Sequence, residues 1–186
     1  MAQRSTLPLL AAILLPLLAG GCTVRQGGPD VAGWGDPVSA GALEALDDFG
    51  HTGRLTGQTD RALFAALRVE QLAEASESDP LWQTGRISTL QPELLMARRQ
   101  MREALGIDPK LHPRVVETAL YRALHAGANR GAAAAALDLP GFNGGGEAVL
   151  ARADNLPRLP LVDQAAARTA LLASNPGTGS NSGSLF

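Results

Sequence analysis

A single cysteine, Cys22, stands among the 186 residues, so no disulfide closes within the chain and burial alone has to hold the fold. Lysine is nearly missing too: Lys110 is alone, the other basic residues are arginine, and 18 acidic residues outnumber 16 basic ones. A net charge of -2 offers no basic field to nucleic acid. Two catalytic signatures are absent, the Gly-x-Ser-x-Gly elbow of a serine hydrolase and the His-Glu-x-x-His pair of a zinc peptidase. Gly144-Gly145-Gly146 is followed by Glu147, with no Lys-Ser or Lys-Thr after it and no apolar strand before it, which excludes a phosphate loop. Nowhere do apolar and polar residues alternate in strand fashion, so the pattern points to an all-α chain.

What is present begins with an apolar leader. Arg4 is its only charge, and the uncharged stretch from Ser5 to Gly21 holds Leu7, Leu9, Leu10, Ile13, Leu14, Leu15, Leu17 and Leu18. That is the layout of a secretory signal. A spanning helix needs about 20 apolar residues, whereas this core is shorter and is interrupted by Pro8 and Pro16. Cleavage is therefore the expectation.

Where the leader closes, Ala19-Gly20-Gly21-Cys22 resembles a bacterial lipoprotein signal, in which small residues precede a cysteine that becomes the first mature residue. The commonest form of that motif has leucine three places before the cysteine; here Ala19 holds the place and Leu18 stands one step earlier. The resemblance covers residues 1–22 and implies cleavage after Gly21, a diacylglyceryl group on the Cys22 thiol and an acyl chain on the new amino terminus. One such chain binds a membrane only marginally and three bind it permanently, at about 0.8 kcal/mol per buried CH₂. Thr23 follows the cysteine where an inner-membrane lipoprotein of enterobacterial type has aspartate. The expectation is an outer-membrane anchor facing the periplasm in a two-membrane host.

Removing residues 1–21 takes Arg4 away and leaves 165 residues with a net charge of -3, enough chain for one core. Residues 22–37, rich in glycine and proline, read as a lipidated flexible tether. Its one large apolar residue, Trp34, suits either the headgroup layer or a place against the domain. Residues 38–173 read as the helical domain and 174–186, ending NPGTGSNSGSLF, as a disordered tail.

Within the domain, a first helix is expected over 38–48, capped by Asp36 or Ser39, stopped at Gly50 and turning Leu43, Leu46 and Phe49 inward. After His51–Gly57 a second helix runs from Thr59 to Ala75, with Leu63, Leu67, Val69, Leu72 and Ala73 at helical spacing and Arg61, Arg68 and Glu70 as polar interruptions. The two make a helical hairpin. Its Gly53, Leu55, Thr59, Ala62 and Leu63 give residues 40–68 a similarity to the small helical peptidoglycan-binding repeat, which implies contact with the cell wall.

Asp79-Pro80 breaks the chain before Leu81 and Trp82, and Trp82 is expected in the core. Gln91-Pro92 opens a helix to Leu105, stopped by Gly106, with Leu94, Leu95, Ala97, Met101, Ala104 and Leu105 inward and Arg98, Arg99, Arg102 and Glu103 on a solvated face. His112-Pro113 starts the next helix, whose Val116, Ala119, Leu120, Ala123 and Leu124 form a continuous stripe. These two make a second hairpin through the GIDPKLH link. Short C-terminal helices follow: two turns of alanines from Gly131, another over Glu147–Ala153, and a last one capped by Asp163 and running to Ala173.

The chemistry available to such a domain is sparse. His51, His112 and His125 fall in a loop, at a helix start and in a last turn, and no metal pair links them; Asp47 and His51 are parted by the helix stop at Gly50. Glu93, Glu103 and Glu117 are the carboxylates that a wall-cleaving enzyme would recruit, and clustering of two of these with each other or with His125 would signal one. No cofactor, metal or catalytic residue is expected. The expected role is a non-catalytic binding, scaffolding or assembly factor in an envelope complex. Its expected partners are the membrane through the lipid on Cys22, an envelope protein and, in the alternative reading, peptidoglycan. A cell-wall or lipid-modifying enzyme is the third reading.

Overall fold

The computed structural model describes residues 37–80, 82–83 and 87–174. The expected signal over residues 1–21, Cys22, Trp34, Asp36 and residues 175–186 of the expected tail lie outside the described residues. The chain is all-α: α1 Pro37–Phe49, α2 Thr59–Ser78, α3 Gln91–Leu105, α4 Pro113–His125, α5 Arg130–Leu137, α6 Gly145–Asp154 and α7 Pro160–Ser174, with 3₁₀ turns at Thr52–Arg54 and Ile87–Leu90. Among the described residues no helix is long and apolar enough to cross a membrane.

The longest helix, α2, is shared by two rings of helices. On one side α1, α2, α3 and α7 pack in a closed circuit; on the other α2, α4, α5 and α6 do the same. A helix buried on two sides cannot be amphipathic in the usual way. In α2 the small residues Ala62, Ala65, Ala66, Ala73 and Ala75 share the buried surface with Leu63, Leu67, Val69 and Leu72, so neighbours approach closely from both directions. Each fully buried leucine contributes about 1.5–3 kcal/mol through lost hydration.

Several expected placements shift. In α1 the inward residues are Ala42, Ala45 and Phe49, while Leu46 is 40% exposed and Leu43 half-buried, because α7 packs against the alanine side. The helix already begins at Pro37, so Ser39 lies inside it and is not its cap. The alanine-rich α7 is not an appendage: at 15 residues it equals α3 in length and lies against both α1 and α3. Pro160 occupies its first position, the Asp163 amide already donates to the Leu159 carbonyl at 3.0 Å, and so Asp163 does not cap the helix. Trp82 is buried as expected.

The link between α3 and α4 also does more than turn the chain. Gly106, at φ +72°, ends α3, and the Ile107 amide donates back to the Arg102 carbonyl at 2.8 Å. The next residues are then drawn to the α5–α6 loop, with the Asp108 amide donating to the Gly141 carbonyl and the Asn143 amide to the Gly106 carbonyl, both at 2.8 Å. Fixed there, α3 and α4 touch only slightly, and both pack on α2, α3 also against α7 and α4 also against α5.

Side-chain bonds orient the helices. Thr52, just beyond α1, donates its amide (2.8 Å) and hydroxyl (2.7 Å) to Asp163 in the first turn of α7. Farther along, Arg168 of α7 pairs with Glu93 of α3 at 2.9 Å, and Arg98 of α3 with Glu77 near the end of α2 at 2.9 Å. Thus α7 runs antiparallel to α1 and α3, as α2 does. Pro37, Ser78, Gln91 and Ser174 gather at one end of this ring, while the start of α2 and the first turn of α7 lie at the other.

Candidate functional site

Two features stand out, a buried charge cluster beside the middle of α2 and an open cleft at its start. In the cluster, Glu70 and Arg102 are each only 2% exposed. Arg102 donates from Nε to Oε1 at 2.6 Å and from Nη2 to Oε2 at 2.7 Å, and its Nη1 donates to the carbonyls of Pro109 (3.1 Å) and Leu111 (2.7 Å). This two-pronged pair therefore ties α2, α3 and the α3–α4 link in one knot. Burial raises the Glu70 carboxyl above its ordinary value, and the bonds and charge of Arg102 pull the other way without cancelling it.

Glu117 of α4 faces the same region. Burial raises its carboxyl, the nearby Glu70 and Glu74 raise it further, and Arg114 and His112 oppose them. A raised acid beside a second carboxylate can suggest acid–base chemistry. Here the second carboxylate is already held through both oxygens by Arg102, so it is not free to act as a base. The cluster is built to hold helices together.

The cleft has a volume of about 470 Å³ and is walled by Gly57–Arg61, by Gly127 and Ala128 of the α4–α5 turn, by Arg130 and Ala133 of α5, and by Leu150 of α6. No side chain caps the first turn of α2, because Gln58 spends its amide on the Arg54 carbonyl (2.6 Å) and its oxygen on Arg61 Nη1 (3.0 Å). Thr59 donates to Asp154 at 2.9 Å, fixing the wall to α6. Arg130 pairs with Glu147 at 3.1 Å with both side chains more than half exposed, a contact of little strength. The cleft thus offers polar backbone, the guanidinium groups of Arg61 and Arg130, and the carboxylate of Asp60.

The residues singled out in the sequence separate. Glu93 pairs with Arg168 on α7, Glu103 pairs with Arg99 at the surface (2.9 Å), Glu117 faces α2, and His125 stacks on Tyr121 at 3.9 Å. No two of them share partners. His112 accepts the Arg114 amide on Nδ1 and caps α4, and His51 is exposed. Among the described residues no three histidines, cysteines or carboxylates group as metal ligands. The expected solvated face of α3 is half wrong: Arg99 and Glu103 are exposed, but Arg102 is buried and Arg98 largely covered, since Glu70 and Glu77 of α2 lie opposite. Ala19, Gly20, Gly21 and Cys22 lie outside the described residues. Of the five residues that carry the wall-binding similarity, Leu55, Ala62 and Leu63 are in the core, Thr59 is bonded to Asp154, and Gly53 is exposed beside Arg158.

Comparison with protein families, with curated proteins and with solved structures finds no match for this chain. Its function has to be argued from its own residues.

Proposed function

We propose that this chain is an exported lipoprotein, cleaved after Gly21 and acylated on Cys22, whose helical domain serves as a non-catalytic binding, scaffolding or assembly factor in the cell envelope, in a two-membrane host at the periplasmic face of the outer membrane. The observation that carries this reading is the leader itself: one early charge, an uncharged leucine-rich core, and Ala19-Gly20-Gly21 before the only cysteine. The dispersal of Glu93, Glu103, Glu117 and His125 removes the support that a wall-cleaving enzyme would need. The reading is tested by detergent phase separation of the expressed protein. The native protein should enter the detergent phase and a Cys22→Ala variant the aqueous phase; native protein in the aqueous phase would refute the anchor.

One observation favours contact with peptidoglycan as a second reading. The stretch similar to the wall-binding repeat, residues 40–68, supplies Gly57–Arg61 to the open cleft. Purified sacculi should then retain residues 37–174, and an Arg61→Glu change should release them. Failure of the wild-type domain to sediment with sacculi would remove this reading and leave the first intact.

A further inference from the structure

We infer that the side of the bundle formed by α1 and α7 is the contact surface of a homodimer, in which α1 of one copy lies on α7 of the other; nothing in this depends on acylation of Cys22. The composition of α7 supplies the first step. Its 15 residues carry two charges, and each is drawn aside, Asp163 to Thr52 just beyond α1 and Arg168 to Glu93 of α3 at 2.9 Å. The residues left facing outward include Gln164, Ala167 and Leu171, the last at 61% the most exposed large apolar side chain among the described residues. A helix on the outside of a bundle ordinarily turns charged side chains to water, whereas one that is apolar on all sides is a covered helix. Beside it, α1 has the same character. Glu44 and Asp48 turn toward Arg68 of α2, so the opposite edge of α1, with Leu43 half-buried and Leu46 40% exposed, borders α7.

Register and charge identify the occupant as a second copy. Counted from the bonded Thr52 and Asp163, the antiparallel helices bring Leu46 level with Thr169 and Asp47 level with Arg168. A two-fold axis along the α1–α7 groove lays α1 of each copy over α7 of the other and keeps every residue at its own level. Leu46 then falls between the partner's Ala167 and Ala170, which are small enough to admit it. Asp47 is exposed and forms no ion pair among the described residues; the partner's Arg168 stands at its level, its side chain 44% exposed beyond the bond to Glu93. The other axis in the plane of contact, running across the helices, would stack α1 on α1 and bring Glu44 and Asp47 of both copies together, a repulsion that selects the first arrangement. Helices of 13 and 15 residues give a contact about 20 Å long and two helices wide. That is small for an obligate dimer, so the pairing is weak and reversible.

The test is crosslinking of the full chain in the cells that express it, by a short membrane-permeant bis-maleimide. Ala170→Cys lies near the two-fold axis and should join two copies, while Ala135→Cys, on the exposed side of α5, should give no dimer. The chain without either substitution measures any contribution from Cys22. Adding Asp47→Arg to Ala170→Cys should lower the yield of dimer about threefold, by setting guanidinium against guanidinium. Adding Leu46→Glu should abolish it, and both added substitutions stand at exposed positions that the fold tolerates. No dimer through position 170, an equal yield through 135, or a yield that either added substitution leaves unchanged overturns the inference.

Discussion

Replacing Arg102 by methionine would leave the Glu70 carboxylate buried without a partner and the Pro109 and Leu111 carbonyls without their donor. Breaking a buried pair from one side costs about 3–5 kcal/mol. For a domain of this size that is a fall of roughly 10–20 °C in Tm. The loss should depend on pH in a definite direction. With its carboxyl raised even in the native protein, Glu70 in the variant escapes part of the penalty by staying protonated when folded. The folded state then holds a proton that the unfolded chain releases, so stability grows as pH falls from neutral toward the ordinary glutamate value of 4.5, by up to about 1.4 kcal/mol per pH unit. Glu70→Leu combined with Arg102→Met should recover most of the loss, because an apolar pair has no charge to desolvate; the two loop carbonyls keep about 1–2 kcal/mol of deficit. Urea unfolding followed by circular dichroism at pH 5 and 7.5 reads all three proteins. A cost under about 1 kcal/mol for the single variant at pH 7.5, or a cost unchanged at pH 5, would refute a charge-holding role for this knot.

Three other outcomes follow from the same physics. The upward shifts of Asp48, Glu70 and Glu117, each led by burial, mean that the native protein should become more stable between neutral pH and about 4.5, and that Glu117→Gln should flatten part of that rise while stabilising the protein at pH 7.5; denaturant midpoints across that range check both. The hydroxyl of Thr169 is fully buried on α7 without a hydrogen-bond partner, so Thr169→Val should raise stability by about 1 kcal/mol in a thermal melt. At Gly146 an added Cβ would sit 1.8 Å from the Ala134 carbonyl oxygen, where α6 crosses α5, so Gly146→Ala should cost roughly 2–4 kcal/mol by forcing those helices apart, measured as a lowered urea midpoint.

Much of the helical layout was legible because it is local. The α4 stripe, the glycine stop at Gly106 and the proline starts of α3 and α4 are each decided within one or two turns. What escaped is decided across the chain. Glu70 and Arg102 lie 32 residues apart, and each alone resembles a surface charge on a helix. Asp163 has the look of a helix cap, and only the return of α7 beside Thr52 shows what it holds. The alanines of α7 signal little burial by composition, yet their small size is what admits α7 between α1 and α3. Of the cleft, the sequence marked only residues 57–61, as part of a similarity; the opposing wall at Gly127–Arg130 depends on α4 running antiparallel to α2. The proposed lipid site at Cys22 is the reverse case, a covalent signal read in a short window of sequence that owes nothing to packing.

Attachment of lipid at Cys22 is the claim on which localisation and the choice of partners both depend, and intact mass of the protein purified from membranes tests it most directly. The expected species begins at residue 22 and exceeds the unmodified mature chain by the mass of a diacylglyceryl group and one further acyl chain, while Cys22→Ala carries neither. An unmodified native chain, or one cleaved elsewhere than after Gly21, would contradict the account and leave an exported helical domain with no membrane anchor.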